Sequence, residues 1–249
     1  MIKDSREIMG MPITVEIIDP QATKNDADKI FQYFVAVDKK FSTYKADSEI
    51  SKINNHQLNP REFSSDMQEI IALADQTNRQ TSGYFDIRKP DGTLDPSGLV
   101  KGWAIHNASL ILSGAGFKNF YIEAGGDIQA YGRNADNKKW SVGIRSPFQS
   151  AEIIKVIFLE NRGVATSGTY ERGFHIYDPV HKTIAPKDIV SLTVIAKDVY
   201  EADRFATAAF AMGREGIGFI ERTADLEGYC IDINGLATMT SGFEKYTYA

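Results

Sequence analysis

The sequence predicts an α+β protein folded as one compact domain over residues 1–249. Three observations lead there. Runs that read as strands stand beside one another as well as between helices, which favours α+β over a doubly wound parallel sheet. The 249 residues contain no linker, internal repeat or low-complexity stretch that marks a boundary. Hydrophobic residues make up 43% and charged residues 24%, the ordinary globular range, with ample length for a core.

Taken in order, residues 12–18 (PITVEII) alternate and are β-branched, so they predict a first strand. Residues 25–41 carry Ile30, Phe31, Phe34, Val35, Val37 and Phe41 at helical spacing. A loop through Tyr44 follows, then a short helix that Asp47 or Ser48 could cap. Residues 66–81 form a second amphipathic helix, with Met67, Ile70, Ile71, Ala74 and Thr77 on one side, ending at Ser82-Gly83. Asp95-Pro96-Ser97-Gly98 turns tightly into a helix over residues 99–112, which Ser113-Gly114-Ala115-Gly116 breaks. Phe120-Tyr121-Ile122 reads as a buried strand that stops at Gly125-Gly126-Asp127. Strands are expected at 140–144, 153–159, 175–179 and 189–196, and residues 162–168 read as a strand end breaking into a Gly-containing loop. Residues 200–212 predict a helix with small residues, Ala202, Ala206 and Ala209, on one face. The chain closes on a strand pair, 228–234 and 236–240, around Asn234-Gly235, a strong hairpin signal.

Charge and composition exclude several classes. The net charge is -5 and no block of Lys and Arg occurs, so nothing suggests a nucleic-acid partner. The single cysteine, Cys230, has no zinc-site spacing and lies in an apolar run, which predicts a buried structural thiol. The start MIKDSREIMG has no apolar core of a leader, and no run of about 18 apolar residues exists, so no membrane span and a cytoplasmic location are expected.

The chemistry concentrates between Leu94 and Asp127. A helix opening with Asp, Ser and Gly presents backbone N–H groups, a natural seat for phosphate, and Lys101 places a cation in its first turn. A strand ending in Gly-Gly-Asp lets a ligand approach the backbone. Each pattern has a plainer reading, a helix cap and a hairpin turn. Further on, Asp203 and Thr207 are four apart and share a helix face, so a carboxylate and a hydroxyl can point at one hard cation. The plainer reading is helix decoration and packing. Thr166, Ser167, Thr169 and Arg172 surround Gly168 in a pattern suited to phosphate or ribose, or to an ordinary polar turn. His175 stands near Asp178 and could act as a general base, or be a satisfied strand-end histidine. Tyr44 and Tyr84 read as exposed aromatics able to stack on a flat ring, or as a lid over the core.

In combination and order these pieces resemble the ApbE-like flavin transferases, the FAD:protein FMN transferases. The resemblance is carried by Met9-Gly10; by Phe41-Ser42-Thr43-Tyr44 with Ser48-Glu49-Ile50-Ser51-Lys52-Ile53-Asn54; and by Ser82-Gly83-Tyr84-Phe85-Asp86. It continues through Asp95-Pro96-Ser97-Gly98-Leu99-Val100-Lys101-Gly102, Gly125-Gly126-Asp127, and Ala165-Thr166-Ser167-Gly168 with Tyr170, Arg172, His175 and Asp178-Pro179. It ends with Ala202-Asp203-Arg204-Phe205-Ala206-Thr207. The resemblance implies a single α+β domain related to the tunnelling fold (T-fold). It implies FAD as substrate, Mg2+ as the required metal, and transfer of FMN to a Thr or Ser hydroxyl of a target flavoprotein with release of AMP. Carried over, Gly98 (through its carbonyl), Asp203 and Thr207 would hold the metal. Met9, Tyr44, Tyr84, Phe85, Asp86, Asp95 and Lys101 would contact FAD, and His175 would be the base, with Asp203 the other catalytic residue. Hydrolysis of FAD to FMN and AMP at the same metal, and FAD binding without turnover, stand as alternatives. The sequence departs from the family pattern at Met11-Pro12, at His106, at His181-Lys182 in place of Thr-Gly, and in lacking a lipobox cysteine.

Overall fold

The chain opens with a hairpin. β1 (Ile2–Ile8) pairs antiparallel with β2 (Met11–Ile17), and the turn falls on Met9 and Gly10, both at positive φ. The structure, a computed structural model, describes residues 1–149, 152–169, 177–181, 183–184 and 188–248. Next come α1 (Lys24–Phe41), α2 (Glu49–Asn54), α3 (Ser65–Gln80) and α4 (Ser97–Gly114). The hairpin β3 (Phe120–Ala124) and β4 (Asp127–Tyr131) follows, then β5 (Trp140–Arg145), β6 (Ile153–Leu159) and β7 (Arg162–Gly168). Two short strands, β8 (Tyr177–Asp178) and β9 (Thr183–Ile184), precede β10 (Ile189–Ala196), α5 (Val199–Ala211), α6 (Glu215–Arg222), β11 (Glu227–Asp232) and β12 (Ala237–Met239).

Eight strands form one antiparallel sheet in the order β1-β2-β3-β4-β7-β10-β11-β12, while β5-β6 and β8-β9 are separate hairpins. The two-residue period of a strand decides what each face meets. On β10, Leu192, Val194 and Ala196 join the core under α5 and α6, whereas Ile195 faces the β5-β6 side. On β7, Ala165 goes with the helices and Val164 with the hairpin. Helices therefore cover one face of the sheet, and β5-β6 with the turn Phe243–Tyr246 covers the other through Trp140, Val142, Ile157 and Phe243.

The same alternation aims β4. Ile128 and Ala130 face the hairpin. Asp127 and Gln129 face the helices, where Gln129 Oε1 accepts the Val199 N–H at 2.9 Å. The central helix α4 buries residues on most of its circumference, among them Leu99, Val100, Trp103, Ile105 and Leu112, while Leu110 and Ile111 near its end are exposed. Its first turn lies at the sheet end that carries the β3-β4 turn.

Three elements differ from the sequence reading. β1 precedes the expected first strand; its residues alternate between half-buried and exposed, and four of the seven are charged. The Gly125-Gly126 turn joins two strands, so β4 begins where a strand was expected only to stop. α6 follows α5 after Gly213 at φ 64°. The expected strand at residues 175–179 is present as Tyr177–Asp178; residues 175 and 176 lie outside the described residues.

Candidate active site

The site is built at the crossing of α4 and α5. Gly102 has no side chain there, and a Cβ would sit 2.6 Å from Asp203 Cβ and 2.9 Å from the Val199 carbonyl oxygen. This approach lets the Gly102 N–H donate to Asp203 Oδ2 at 2.7 Å. One turn earlier Gly98 meets Thr207, whose hydroxyl donates to the Gly98 carbonyl at 3.4 Å. The step from Gly98 to Gly102 is thus matched by the step from Thr207 to Asp203, which makes the helices antiparallel at the crossing. The i,i+4 spacing on each helix aligns the pair of contacts. A carbonyl has two lone pairs, so the Gly98 oxygen can serve a further partner beyond its helix.

Lys101 and Asp127 complete the cluster. Asp127, the first residue of β4, has a side chain 1% exposed, and its Oδ2 lies 2.6 Å from Lys101 Nζ. Its Oδ1 accepts the Thr166 N–H at 3.1 Å, which fixes the carboxylate from β7. Asp203 is equally shielded, at 4% exposure. Burial pushes the Asp203 carboxyl above the usual carboxylate range; the Lys101 ammonium opposes this, the Asp127 charge adds to it, and the Gly102 N–H opposes it again. Two buried carboxylates therefore face one ammonium, leaving net negative charge. The donors around it, Gly98 carbonyl, Thr207 hydroxyl and Asp203 carboxylate, are all oxygen, the set a hard divalent cation prefers. Among the described residues there is no group of three or more His, Cys, Asp and Glu able to hold a metal. The sequence pattern presented Asp127 only as the end of a Gly-Gly-Asp run; its partners come from α4 and β7.

The rim is set by loops that α2 and α3 anchor. Ser48 caps α2 by accepting the Ser51 N–H at 3.1 Å. Asn54, at the end of that helix, bonds both the N–H and the carbonyl of Leu94, at 2.8 and 2.9 Å. This holds the strand entering Asp95. Asp95 pairs with Lys89 at 2.9 Å and accepts the Ser97 N–H at 3.2 Å. Burial works against its ionised form, but Lys89 and Ser97 together hold its carboxyl below the usual range. Tyr44 is 98% exposed and close enough to act on the Lys89 charge. Asp86 accepts the Arg88 N–H at 2.9 Å. Phe85 is buried, its N–H donates to Thr81 Oγ1, its carbonyl accepts from Asn78, and its ring packs beneath Gly98. Its visible part is to support Gly98 rather than to present a ring to a ligand. Met9, half-buried on the β1-β2 turn, lies at the same sheet end as Gly125, since Gly125 packs on Met11 and donates its N–H to the Pro12 carbonyl.

The ApbE family profile matches residues 9–89 and 87–230. The chain belongs to the ApbE family. A Haemophilus influenzae relative named FAD:protein FMN transferase is 27% identical, over 99% of this chain and 92% of its own length. A Vibrio cholerae relative of the same name is 25% identical, over 92% and 84%. Two solved structures share the fold. The flavin transferase ApbE from Vibrio cholerae superposes with a TM-score of 0.87 at 23% identity, covering 98% of each chain. The ApbE protein of Thermotoga maritima gives 0.88 at 22% identity, covering 100% of this chain and 99% of that one.

Within this ApbE protein, the structure brings together Gly98, Lys101, Asp203 and Thr207, with Phe85 beneath them and Asp95 on the same turn. Tyr84 lies at a second rim. Its ring is 6.1 Å from that of His181, and burial, then the charges of Asp178 and Glu215, push its hydroxyl up. His175, with Tyr170 and Arg172, lies outside the described residues. The Asp178 carboxylate accepts the N–H groups of Val180 and His181 at 2.9 and 3.0 Å and meets His181 Nδ1 at 2.8 Å. His181, which stands where the family pattern carries Thr, is therefore Asp178's partner imidazole in the described structure. Arg204 is structural: it reaches Thr77 and Gln80 on α3 and Glu201 on its own helix. Cys230 is buried and its thiol is pushed up to about 12 by that burial and by Asp188 and Asp232. Among the described residues no helix is long and apolar enough to cross a membrane.

Proposed function

We propose that this chain is an FAD:protein FMN transferase that uses Mg2+. The observation that carries the reading is the α4-α5 crossing, where Gly98, Asp203 and Thr207 converge as oxygen donors beside Lys101 in a family whose relatives bear that name. Bound there, Mg2+ would neutralise charge on the pyrophosphate of FAD. Gly98, Asp203 and Thr207 would hold it. Lys101 supplies a cation for the phosphate oxygens, and Asp95, Tyr44, Tyr84, Asp86 and Met9 form the rim that receives the substrate's flat rings. Phe85 keeps Gly98 in place.

In the reaction, the hydroxyl oxygen of an acceptor Thr or Ser on a target flavoprotein attacks the FMN-side phosphorus of FAD. A new P–O bond forms, the bridging P–O bond breaks, and AMP leaves with the electron pair. The hydroxyl proton passes to a base, the role assigned to His175. Such a transfer needs positioning and charge neutralisation more than covalent chemistry by the protein.

The deciding experiment incubates the protein with FAD and Mg2+, with and without an acceptor domain, and weighs the products. The expected result is an adduct of FMN mass on the acceptor hydroxyl with AMP released. AMP and unbound FMN, with or without acceptor, would make the enzyme an FAD hydrolase, and intact bound FAD would make it a binding protein. Asp203→Ala is expected to cut Mg2+-dependent turnover by about 100-fold or more while retaining FAD binding; full activity rejects the metal assignment. His175→Ala is expected to slow transfer more than it weakens FAD binding, and an unchanged transfer rate removes it as the base.

A further inference from the structure

Lys101 stands between two buried carboxylates of opposite employment. Its ammonium lies 2.6 Å from Asp127, whose own side chain is 1% exposed. Asp127 is held in place by the Thr166 N–H on its other oxygen and by its position directly after a Gly-Gly turn with φ of 55° and 89°. Asp203 is anchored differently: it accepts the Gly102 N–H from α4, and its carboxyl also hydrogen-bonds that of Asp127. The charge of Lys101 nevertheless reaches Asp203, where it favours the ionised form. An ammonium on a flexible stem pairs with the nearest carboxylate in a dry site, where such a pair is hard to break. With Asp127 absent, Asp203 is a buried carboxylate that the Lys101 charge already reaches.

Resting on the reading that Asp203 is a metal ligand, we propose that Asp127 is a positioning residue that holds the Lys101 ammonium off Asp203, so that Asp203 meets an incoming divalent cation instead of an internal ion pair. The geometry supports a division of labour. One carboxylate engages the protein's own cation, from a strand and turn that cannot follow the helices. The other lies on α5 one turn from Thr207, whose hydroxyl reaches the Gly98 carbonyl.

The test uses the whole chain and Mn2+ alone as an electron-paramagnetic-resonance probe, without FAD or turnover. Four proteins are compared: wild type, Asp127→Asn, Lys101→Met and the double variant. Asn is nearly isosteric, and its Oδ1 can still accept the Thr166 N–H. Asp127→Asn is expected to weaken Mn2+ binding by about tenfold or more, because Lys101 turns to Asp203. Lys101→Met is expected to change it by less than about threefold in the wild-type background, yet to restore it to near wild type in the Asp127→Asn background. A merely structural role for Asp127 gives no such rescue. If Lys101→Met acts by the same factor in both backgrounds, simple charge addition explains the data and the proposal fails; it fails equally if Asp127→Asn binds Mn2+ as wild type does. A wild-type protein that holds no Mn2+ removes the metal reading itself, and the inference with it. Should Asp127→Asn lower the melting temperature, Asp127→Ser, which keeps an acceptor for Thr166, must show the same rescue.

Discussion

At Gly102 the backbone of α4 touches the side chain of Asp203, and no methyl group fits between them. Gly102→Ala therefore has to push α4 from α5, and overpacking of this kind costs about 1–3 kcal/mol. The expected outcome is a lower denaturation midpoint together with a loss of Mg2+-dependent turnover, since the Gly98–Thr207 contact one turn away opens with it. Unchanged stability in chemical denaturation would show that the crossing is slack. Cys230 tests the opposite extreme, a group with no part in the chemistry. Its thiol is buried and pushed up to about 12, so at neutral pH it is protonated and shielded. A thiol reagent such as DTNB is expected to react with it only on unfolding, and prompt reaction in the native protein would contradict that. At this scale the sequence showed that Asp203 and Thr207 share a helix face, because a four-residue interval is visible in the chain. It did not show what faces them. The partners of Asp127 stayed hidden for the same reason, as its contacts to Lys101 and Thr166 bridge 26 and 39 residues of chain, and no local pattern encodes such a contact.

The short helix α2 shows how an element with little core of its own serves the site. It has six residues and is too short to be stable alone. Its value lies at its ends: Ser48 starts it, and Asn54 at its close ties down both polar groups of Leu94. Asn54→Ala leaves that N–H and carbonyl without their partners, at about 1–3 kcal/mol for groups kept from water. The expected result is a modest loss of stability and a larger loss of FAD affinity, because Asp95 follows directly on the strand that loosens and carries the Lys89 pair with it. An FAD affinity equal to wild type, measured by calorimetry, would show that the rim is held by other means. Elements with strong periodicity were legible: β10 was placed at residues 189–196, and α1, α3 and α5 to within a residue or so of their ends. Those missed had weak signals. β1 has apolar residues only at its two ends, Ile2 and Ile8, and packs on α1, so it carries no hydrophobic run. β4 holds a buried Asp and Gln among its five residues, and those side chains are spent on α4 and α5 instead of on an apolar pattern.

At the scale of the whole molecule, one sheet carries every core. The helix face holds two apolar clusters, the opposite face holds a third, and β7 and β10 contribute side chains to both faces. A strand with neighbours on both faces cannot leave one core without disturbing the other, so the chain is expected to unfold as a single cooperative unit. Scanning calorimetry should give one transition; two resolved transitions would divide the chain into separate domains. None of these cores contains the charged cluster, which sits at one end of the sheet between β4, α4 and α5. The fold should therefore stand without metal, and EDTA should abolish turnover while leaving the transition intact. Adding Mg2+ together with FAD should then raise the melting temperature, because a ligand that binds only the folded state stabilises it by mass action, about 2.7 kcal/mol at a ligand concentration 100 times its dissociation constant. The rise should shrink to that given by FAD without Mg2+ in Asp203→Ala, where the carboxylate is gone but the three cores remain. A rise of equal size in that variant would place the stabilising cation elsewhere on the molecule, and would separate the fold's stability from the site that its sheet end was inferred to build.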